Sequence, residues 1–408
     1  MAETNGANNK ILLFTASFPP PAAGGSVEYL YNIFSHFQPG TVVINTGNSG
    51  KEMSDVIDQK LQQHVIRSSH IIHVVNGHRA TKLHRLAQNI LWPLNACRLI
   101  AKEKPDLVAI GEFSIVSIAA LAFRIFFKLP YVLFTYAEEI TYIDTRPLYK
   151  KLLNSVLKNA IAVFAVSEYT RQLLIERGTA PQIIHKVLPS VGENKCLVAS
   201  KEDIERTLIK YGLVGKKVLL TVGRIVERKG HETVIQVLPD LLKQNPNIKY
   251  VIVGIGPYEN ILRRKITNRG LHEQVALAGC ADDSELSALY DLCDVFVMPH
   301  RELPNTNDTE GCPTVFLEAS AHGKPCIGGN AGGVADAILH GKTGLIIDGT
   351  NPAELSGAIM YLLNYPEVAK QMGESGREYV STLTPEANSK AVQIYLSSVI
   401  TPISKSLI

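Results

Sequence analysis

Short apolar runs alternate along the chain with segments of helical periodicity. In the first half, the apolar runs predict strands at 10–16, about 41–46, about 71–75, 107–111, 131–136 and 162–167. Helices are predicted at about 27–37 and about 81–103, and a helical segment separates each later pair of strands. Continuous apolar runs that alternate with helices are typical of a parallel sheet covered on both faces. The first half therefore predicts a doubly wound α/β domain.

The same alternation returns after a polar, irregular segment. Residues 190–203 (SVGENKCLVASKED) hold few apolar side chains and predict a linker. Beyond it, six apolar runs predict a second set of strands: KVLLTVG, YVIVG, VALAG, VFVMP, CIGG and LIID. We therefore expect two domains, at 1–195 and 196–382, with a last helical segment at about 383–408.

The composition is that of a globular chain with a large core. Of 408 residues, 46% are hydrophobic and 19% are charged, which favours two or more packed domains. A net charge of +3 is too small to indicate a nucleic-acid partner. The six cysteines show no C-x-x-C pair and no metal-ligand spacing, so we expect free thiols in a reducing compartment.

The distribution of apolar residues predicts a cytoplasmic protein. Residues 1–10 are polar and include Glu3 and Lys10, so we expect no secretory signal. The most apolar stretch, Ile115–Phe127, contains Arg124 and is too short to span a bilayer. We expect this stretch to form a buried helix of an α/β layer.

The segment EGCPTVFLEASAHG, from Glu310 to Gly323, predicts a helix with an anion site at its start. Pro313 fits the first helical position, and Gly323 fits the C-terminal cap. The unpaired N–H groups at the start of such a helix, at Cys312, Thr314 and Val315, would bind a phosphate.

Two glutamates, Glu310 and Glu318, lie on either side of this helix start. Glu310 precedes the start, and Glu318 lies about one turn beyond Thr314. Carboxylates accept hydrogen bonds from sugar hydroxyls, so a phosphate between them indicates a nucleotide-sugar site. An ordinary surface helix with solvated glutamates explains the spacing equally well.

The segment GRIVERKG, residues 223–230, places cations at the end of a predicted strand. It follows the apolar run KVLLTV, and ligands of open α/β sheets bind at that edge. Arg224 offers a planar fork of donors and Lys229 a mobile point charge, a combination suited to a diphosphate. The alternative is a solvated basic turn, because Arg228 lies in the same loop and is expected to face the solvent.

With these motifs the chain resembles the retaining glycosyltransferases of family 4, a group with the GT-B fold. The resemblance covers most of the chain and is strongest from about Val218 to Ile347. Its landmarks occur in order: GRIVERKG, VIVGIGPYENILR, VALAGCADDSELSALYDLCDVFVMP, the glutamate pair and GGVADAILHGKTGLIID. The fold implied is α/β, with two Rossmann-like doubly wound domains facing a central cleft and the last helix packed back on the first domain.

The resemblance also implies roles for individual residues. Arg224 and Lys229 would bind the donor diphosphate, Glu310 the donor sugar and Glu318 the ribose hydroxyls. Glu310, Arg224 and Lys229 are therefore the candidate catalytic residues. The candidate donor-binding residues are Gly24, Gly25, Arg224, Lys229, Gly311, Cys312, Pro313, Thr314 and Glu318. For Gly24 and Gly25, an ordinary Pro/Gly-rich turn is the alternative to close backbone contact with the donor.

Family membership further implies a mechanism without a covalent nucleophile. The acceptor would attack from the face that the diphosphate leaves, with retention of configuration. The chain has no D-x-D triplet and no His/Asp cluster, and Asp282-Asp283 predicts a helix start instead. We therefore expect no metal and no cofactor beyond the nucleoside-diphosphate sugar, with Arg224, Lys229 and the helix dipole stabilising the leaving group.

One segment departs from the family pattern. Where the family often carries a histidine after the fifth strand, this chain reads TYAEEITY, with Tyr136 in its place and Glu138 and Glu139 next. One of these three would replace the histidine's contact with the sugar or acceptor, or Tyr136 simply ends a strand. His300, with Arg301, would reach the base or acceptor, or is only a solvated loop residue.

The sequence leaves the partners partly open. The donor is UDP- or GDP-linked, and the acceptor is a glycan, a lipid-linked molecule or a small molecule. A basic bias beside Trp92, Phe123 and Phe127 suits peripheral contact with an anionic membrane at its inner face, although scattered solvated lysines explain the same residues. The basic residues are Arg98, Lys102, Lys104, Arg124, Lys128, Lys150 and Lys151. A nucleotide-sugar epimerase and a non-catalytic donor-binding subunit are the alternative functions.

Overall fold

The described part of the chain divides into two compact units in this computed structural model. The structure describes residues 9–16, 18–19, 24–47, 58–59, 61–68, 82–145, 147–303 and 306–406. The first unit runs to Pro189 and includes the helix that starts at Pro385, and the second spans Ser190–Thr384. Residues 190–195, which we assigned to the first domain, therefore lie in the second unit.

The first unit is built on a seven-stranded sheet whose strands are all parallel. The strands are β1 (Ile11–Phe14), β2 (Val42–Gly47), β3 (His64–Ser68), β4 (Leu107–Ile110), β5 (Tyr131–Thr135), β6 (Ala162–Ala165) and β7 (Ile184–Lys186). Their order is β3-β2-β1-β4-β5-β6-β7. The apolar patterns did not predict β3 and β7, which form the edges. The strand predicted at about 71–75 lies outside the described residues.

Helices connect these strands, as the alternating pattern predicts. They are α1 (Gly25–Phe34), α2 (Lys82–Glu103), α3 (Ala119–Phe126), α4 (Glu138–Thr141), α5 (Lys150–Asn159) and α6 (Glu168–Glu176). Helix α1 starts two residues earlier than predicted. Gly24 precedes it with φ +140°, a conformation that a residue with a Cβ rarely adopts.

The apolar stretch Ile115–Phe127 is not the buried helix that we expected. It forms a short 3₁₀ turn and then α3, whose C-terminal end lies in the solvent: Ile125 is 70% exposed and Phe126 is 79% exposed. Trp92 and Phe123, in contrast, are buried in the core of the unit.

The second unit repeats the architecture with a six-stranded parallel sheet. The strands are β8 (Lys217–Val222), β9 (Ile248–Val253), β10 (Val275–Gly279), β11 (Val295–Met298), β12 (Cys326–Gly329) and β13 (Gly344–Ile347). Their order, β10-β9-β8-β11-β12-β13, reverses direction between β8 and β11. Such a switch point opens a crevice at the carboxyl ends of the strands, where ligands bind in this class of sheet.

Eight helices are described on this second sheet. They are α7 (Lys201–Tyr211), α8 (His231–Gln244), α9 (Glu259–Asn268), α10 (Asp283–Leu292), α11 (Thr314–Ala321), α12 (Val334–Ala337), α13 (Pro352–Asn364) and α14 (Pro366–Ser381). The central strands are apolar throughout, so residues such as Leu219, Tyr250 and Val297 are fully buried. Burial of one such side chain contributes about 1.5–3 kcal/mol to folding.

The last helix, α15 (Pro385–Ser406), belongs to the first unit and packs against α1. Gln393 Nε2 donates to the carbonyl of His36 at 3.1 Å, and Asn388 Nδ2 donates to the carbonyl of Leu188 at 2.6 Å. Among the described helices, no segment is both long enough and apolar enough to cross a membrane.

Candidate active site

The candidate site lies at the carboxyl edge of the second sheet, where close backbone packing joins three loops. The 3₁₀ turn Glu227–Lys229 follows β8, and its Arg228 carbonyl accepts from the N–H of Arg301 at 2.8 Å. The N–H of Gly333, after β12, donates to the carbonyl of Glu310 at 3.0 Å. Gly332 has φ +55°, and a Cβ there would overlap the same carbonyl oxygen. Glycine is therefore required where this loop supports Glu310.

Glu310 binds two cations from the loop after β8. Arg228 Nη1 and Lys229 Nζ both contact Glu310 Oε1, and Arg228 Nε donates to Asp308 Oδ1 at 2.6 Å. Arg228 is only 6% exposed, so our expectation that it faces the solvent is wrong. A buried guanidinium needs charged partners, and Asp308 and Glu310 supply them.

These cations keep Glu310 ionised. Burial by itself would raise the pKa of Glu310, but Lys229 and Arg228 lower that pKa to about 2. At neutral pH the group is thus a fixed carboxylate that accepts hydrogen bonds and has no proton to give. That chemistry suits the orientation of sugar hydroxyls and the stabilisation of positive charge.

The two predicted diphosphate ligands are in different states. Lys229 is buried against Glu310, whereas Arg224 is exposed and its guanidinium makes no hydrogen bond or ion pair to any described residue. Arg224 is therefore open to an anionic ligand, while Lys229 would have to be shared with Glu310. Within the described ranges, no three His, Cys, Asp or Glu side chains are grouped so as to hold a metal ion.

The helix start predicted at Pro313 is displaced by one residue. Pro313 is extended, with ψ 97°, and caps α11, which begins at Thr314. The N–H groups of Thr314 and Val315 have no acceptor among the described residues, as expected for the first turn. At the other end, Gly323 is left-handed and Lys324 N–H donates to the Ala319 carbonyl at 3.0 Å, the capping pattern that the sequence predicts.

Glu318 is buried inside α11 with both oxygens engaged. Tyr290 Oη donates to Oε2 at 2.9 Å, and Lys195 Nζ lies 3.5 Å from Oε1. Sequence reasoning missed both partners. Tyr290 carried a weak signal, because a buried tyrosine hydroxyl needs a partner. Lys195 carried none, since it lies in the segment that we assigned to the linker.

His300 is a buried residue and not the solvated loop histidine considered above. Its Nδ1 lies 3.1 Å from the carbonyl of Met298, and its Nε2 lies 3.0 Å from that of Ala331. Burial lowers the pKa of His300. The ring thus ties β11 to the loop after β12, and its contact with a base or acceptor stays a prediction.

A separate polar cluster lies at the carboxyl edge of the first sheet. Tyr136 N–H donates to Glu139 Oε1 at 2.5 Å, and Tyr136 Oη donates to the carbonyl of Gly111 at 2.9 Å. Ala137 between them has φ +83°, a strained conformation for alanine. Burial raises the pKa of Glu139 to about 8. Glu138 starts α4 beside this cluster.

The contacts that the sequence predicts with the donor stay predictions at several positions. Gly24 and Gly25 are exposed at the start of α1, where a Cβ at position 24 would meet nothing within 4 Å. Gly311 is buried and Cys312 is partly exposed before α11. All four lie at helix starts, which suits anion binding.

Two family models match the chain. The model described as glycosyl transferases group 1 matches residues 203–379, in the second unit. The model described as glycosyltransferase family 4 matches residues 23–191, almost entirely in the first unit.

Individual relatives agree with these models. Two are described as GDP-mannose-dependent alpha-(1-6)-phosphatidylinositol monomannoside mannosyltransferase. The one from Mycolicibacterium smegmatis (strain ATCC 700084 / mc(2)155) is 33% identical over 233 residues, 57% of this chain and 61% of the relative, so the match spans less than two thirds of it. The one from Mycobacterium tuberculosis (strain ATCC 25618 / H37Rv) is 30% identical over 286 residues, 70% of this chain and 73% of the relative.

A solved structure shares the fold over nearly the whole chain. Anabaena Alr3699/HepE, in complex with UDP-glucose, superposes with a TM-score of 0.75 and 18% identity. The superposition covers 96% of this chain and 100% of that one. It supports the prediction of the GT-B class.

Proposed function

The chain belongs to the family 4 glycosyltransferases, the glycosyl transferases of group 1, and from this membership we propose that it moves a hexosyl unit from a nucleoside-diphosphate sugar to an acceptor hydroxyl with retention of configuration. The observation that carries the proposal is the Glu310 carboxylate, held by Arg228 and Lys229 beside the start of α11. That arrangement combines a sugar acceptor group, cations and unpaired N–H groups at one sheet edge.

Each group has a role in this proposal. Arg224 and Lys229 bind the diphosphate, and the N–H groups at the start of α11 add donors to a phosphate oxygen. Glu310 binds the sugar, and Glu318 binds the ribose. The arriving diphosphate competes with Glu310 for Lys229, so the ion pair seen here loosens when the donor binds.

Metal independence follows from the same charges. A leaving diphosphate needs positive charge, and Arg224, Lys229 and the dipole of α11 provide it without an added ion. Retention follows from the state of Glu310. Its carboxylate is bound to two cations, which makes it a weak nucleophile, so attack by the acceptor on the face that the diphosphate leaves is favoured over a covalent intermediate.

For the substrates, we propose GDP-mannose as donor and a lipid-linked acceptor. Both relatives described above are named GDP-mannose-dependent and act on a phosphatidylinositol mannoside. Peripheral contact with an anionic membrane is part of this proposal. It is supported by the exposed Ile125 and Phe126, which lie between Arg124 and Lys128 at the end of α3.

Arg224 gives the direct test of the nucleotide site. We expect Arg224→Ala to weaken binding of GDP or UDP, whichever the wild type binds, by about 10- to 100-fold, the effect of losing charge-assisted hydrogen bonds. Arg224→Lys should not restore binding, because lysine lacks the forked geometry. Titration calorimetry measures both.

The matched control is Arg263→Ala, which removes a surface pair with Glu259 in the same unit (2.7 Å). It should bind like the wild type. Unchanged affinity in Arg224→Ala would contradict the proposed site.

A further inference from the structure

Lys195 lies beside a buried carboxylate that the proposed function uses for the ribose. Its Nζ is 3.5 Å from Glu318 Oε1, while Tyr290 Oη donates to Oε2 at 2.9 Å. The Glu318 side chain is 5% exposed and that of Lys195 is 21% exposed. In the unliganded protein, Lys195 therefore holds the oxygen that a ribose hydroxyl would need.

The position of Lys195 is fixed by the second unit. His322 Nε2 lies 3.0 Å from the carbonyl of Lys195, and Asp291 Oδ1 lies 2.7 Å from His322 Nδ1. The other oxygen of Asp291 accepts the N–H of Ala199 at 2.8 Å, and Ser287 Oγ donates to the carbonyl of Leu197. The segment that we predicted to be a linker is thus clamped against α10 and the end of α11, with its lysine toward Glu318.

The ammonium offsets the cost of burying Glu318 but is not in its best geometry. A buried carboxylate with only a tyrosine hydroxyl as donor would be strongly destabilising, so a nearby cation is needed. Charge-assisted N–H···O bonds are normally about 2.7–2.9 Å long, shorter than the 3.5 Å found here. Lysine is also a mobile point charge with three donors. Exchange of this partner for another donor is therefore inexpensive.

We propose that Lys195 is a nucleotide-binding residue that changes partner when the donor binds. Ribose hydroxyls take its place at Glu318 Oε1, and its ammonium turns to a phosphate of the same nucleotide. Lys195 is then a third cation for the diphosphate, beside Arg224 and Lys229. This inference rests on the proposed function, which places the ribose at Glu318.

The exchange predicts a selective effect of removing the charge. We expect Lys195→Met to weaken binding of the nucleoside diphosphate by about 10- to 100-fold, as for one lost charge-assisted hydrogen bond. Affinity for the corresponding nucleoside should stay the same or rise, because the competitor at Glu318 is gone. Lys195→Arg should keep diphosphate binding. Calorimetry with GDP and guanosine, and with UDP and uridine, measures these affinities.

The control is Lys210→Met, which removes a lysine that pairs with Glu285 at 2.5 Å in the same unit. It should bind all four ligands like the wild type. If Lys195→Met does not fold, Lys195→Gln, which keeps a hydrogen-bond donor without the charge, serves in its place.

Two results would overturn the inference: unchanged diphosphate affinity without the charge, or equal losses for diphosphate and nucleoside, as a merely structural role would give. Glu318→Gln separates this failure from failure of the proposed function. If Glu318→Gln weakens both ligands while Lys195→Met weakens neither, only the role of Lys195 is wrong. If Glu318→Gln also binds both like the wild type, the ribose site itself is wrong.

Discussion

At the scale of single residues, the chemistry depends on the partners of Glu310. A solvated glutamate would gain little from nearby cations, whereas this one is buried against Arg228 and Lys229 and its pKa falls to about 2. It therefore stays a carboxylate in a setting that would otherwise protonate it. The stabilising effect on an oxocarbenium-like sugar comes from that fixed negative charge.

Replacing Glu310 should separate catalysis from nucleotide binding. We expect Glu310→Gln to lower turnover by about 10²–10³-fold, the usual effect of removing one preorganised electrostatic group. Affinity for the bare nucleoside diphosphate should be nearly unchanged, because Glu310 faces only the transferred sugar. Steady-state kinetics and calorimetry measure the two effects. The control is Glu205→Gln, an exposed glutamate of α7, and wild-type turnover in Glu310→Gln would refute the assignment.

The same variant has a stability signature against pH. Because the folded pKa of Glu310 is below its ordinary value of 4.5, its ion pairs stabilise the protein above that value and are lost as pH falls toward about 2. The difference in melting temperature between wild type and Glu310→Gln should therefore narrow between pH 6 and pH 3. A constant difference would show that the pairs do not form.

At the scale of elements, loops after parallel strands place the groups, and glycine permits the contact between them. Gly332 is left-handed, and its Cα lies directly against the carbonyl oxygen of Glu310. Gly341 is also left-handed, but a Cβ there would meet nothing within 4 Å. The pair distinguishes backbone strain from steric support of the site.

We expect Gly332→Ala to impair both folding and turnover. Gly341→Ala should cost only the left-handed strain, about 1–2 kcal/mol, and keep full turnover. Gly332→Ala should cost more and lower turnover, because the Glu310 carbonyl must move. Denaturant unfolding and initial rates measure the two effects. Equal stability losses with normal turnover in both variants would show that the loop does not position Glu310.

Local patterns predicted most elements, because strands buried on both faces and helix caps are written in short stretches of sequence. The six strands of the second sheet and the glycine cap of α11 were found in this way. The orientation of Arg228 was not, since it depends on Asp308 and Glu310, about 80 residues away. The contact of Lys195 with Glu318 spans 123 residues and has no local signal at all.

At the scale of the whole molecule, each unit carries its own polar cluster where its sheet reverses direction. In the second unit this is the Glu310 cluster between the loops after β8, β11 and β12. In the first unit it is the Tyr136–Glu139 cluster after β5, next to the Gly111 carbonyl after β4. Duplication of the doubly wound plan thus supplies two sets of polar groups, one assigned here to the donor and one available for the acceptor.

Retention of configuration without added metal is the central claim, and the stereochemistry of transfer tests it most directly. Purified protein would be incubated with GDP-mannose and a phosphatidylinositol mannoside acceptor in excess chelator, and the new linkage analysed by proton NMR. The account predicts transfer with the anomeric configuration of the donor, at the rate found without chelator. An inverted linkage, or turnover lost in chelator and restored by magnesium or manganese, would contradict it.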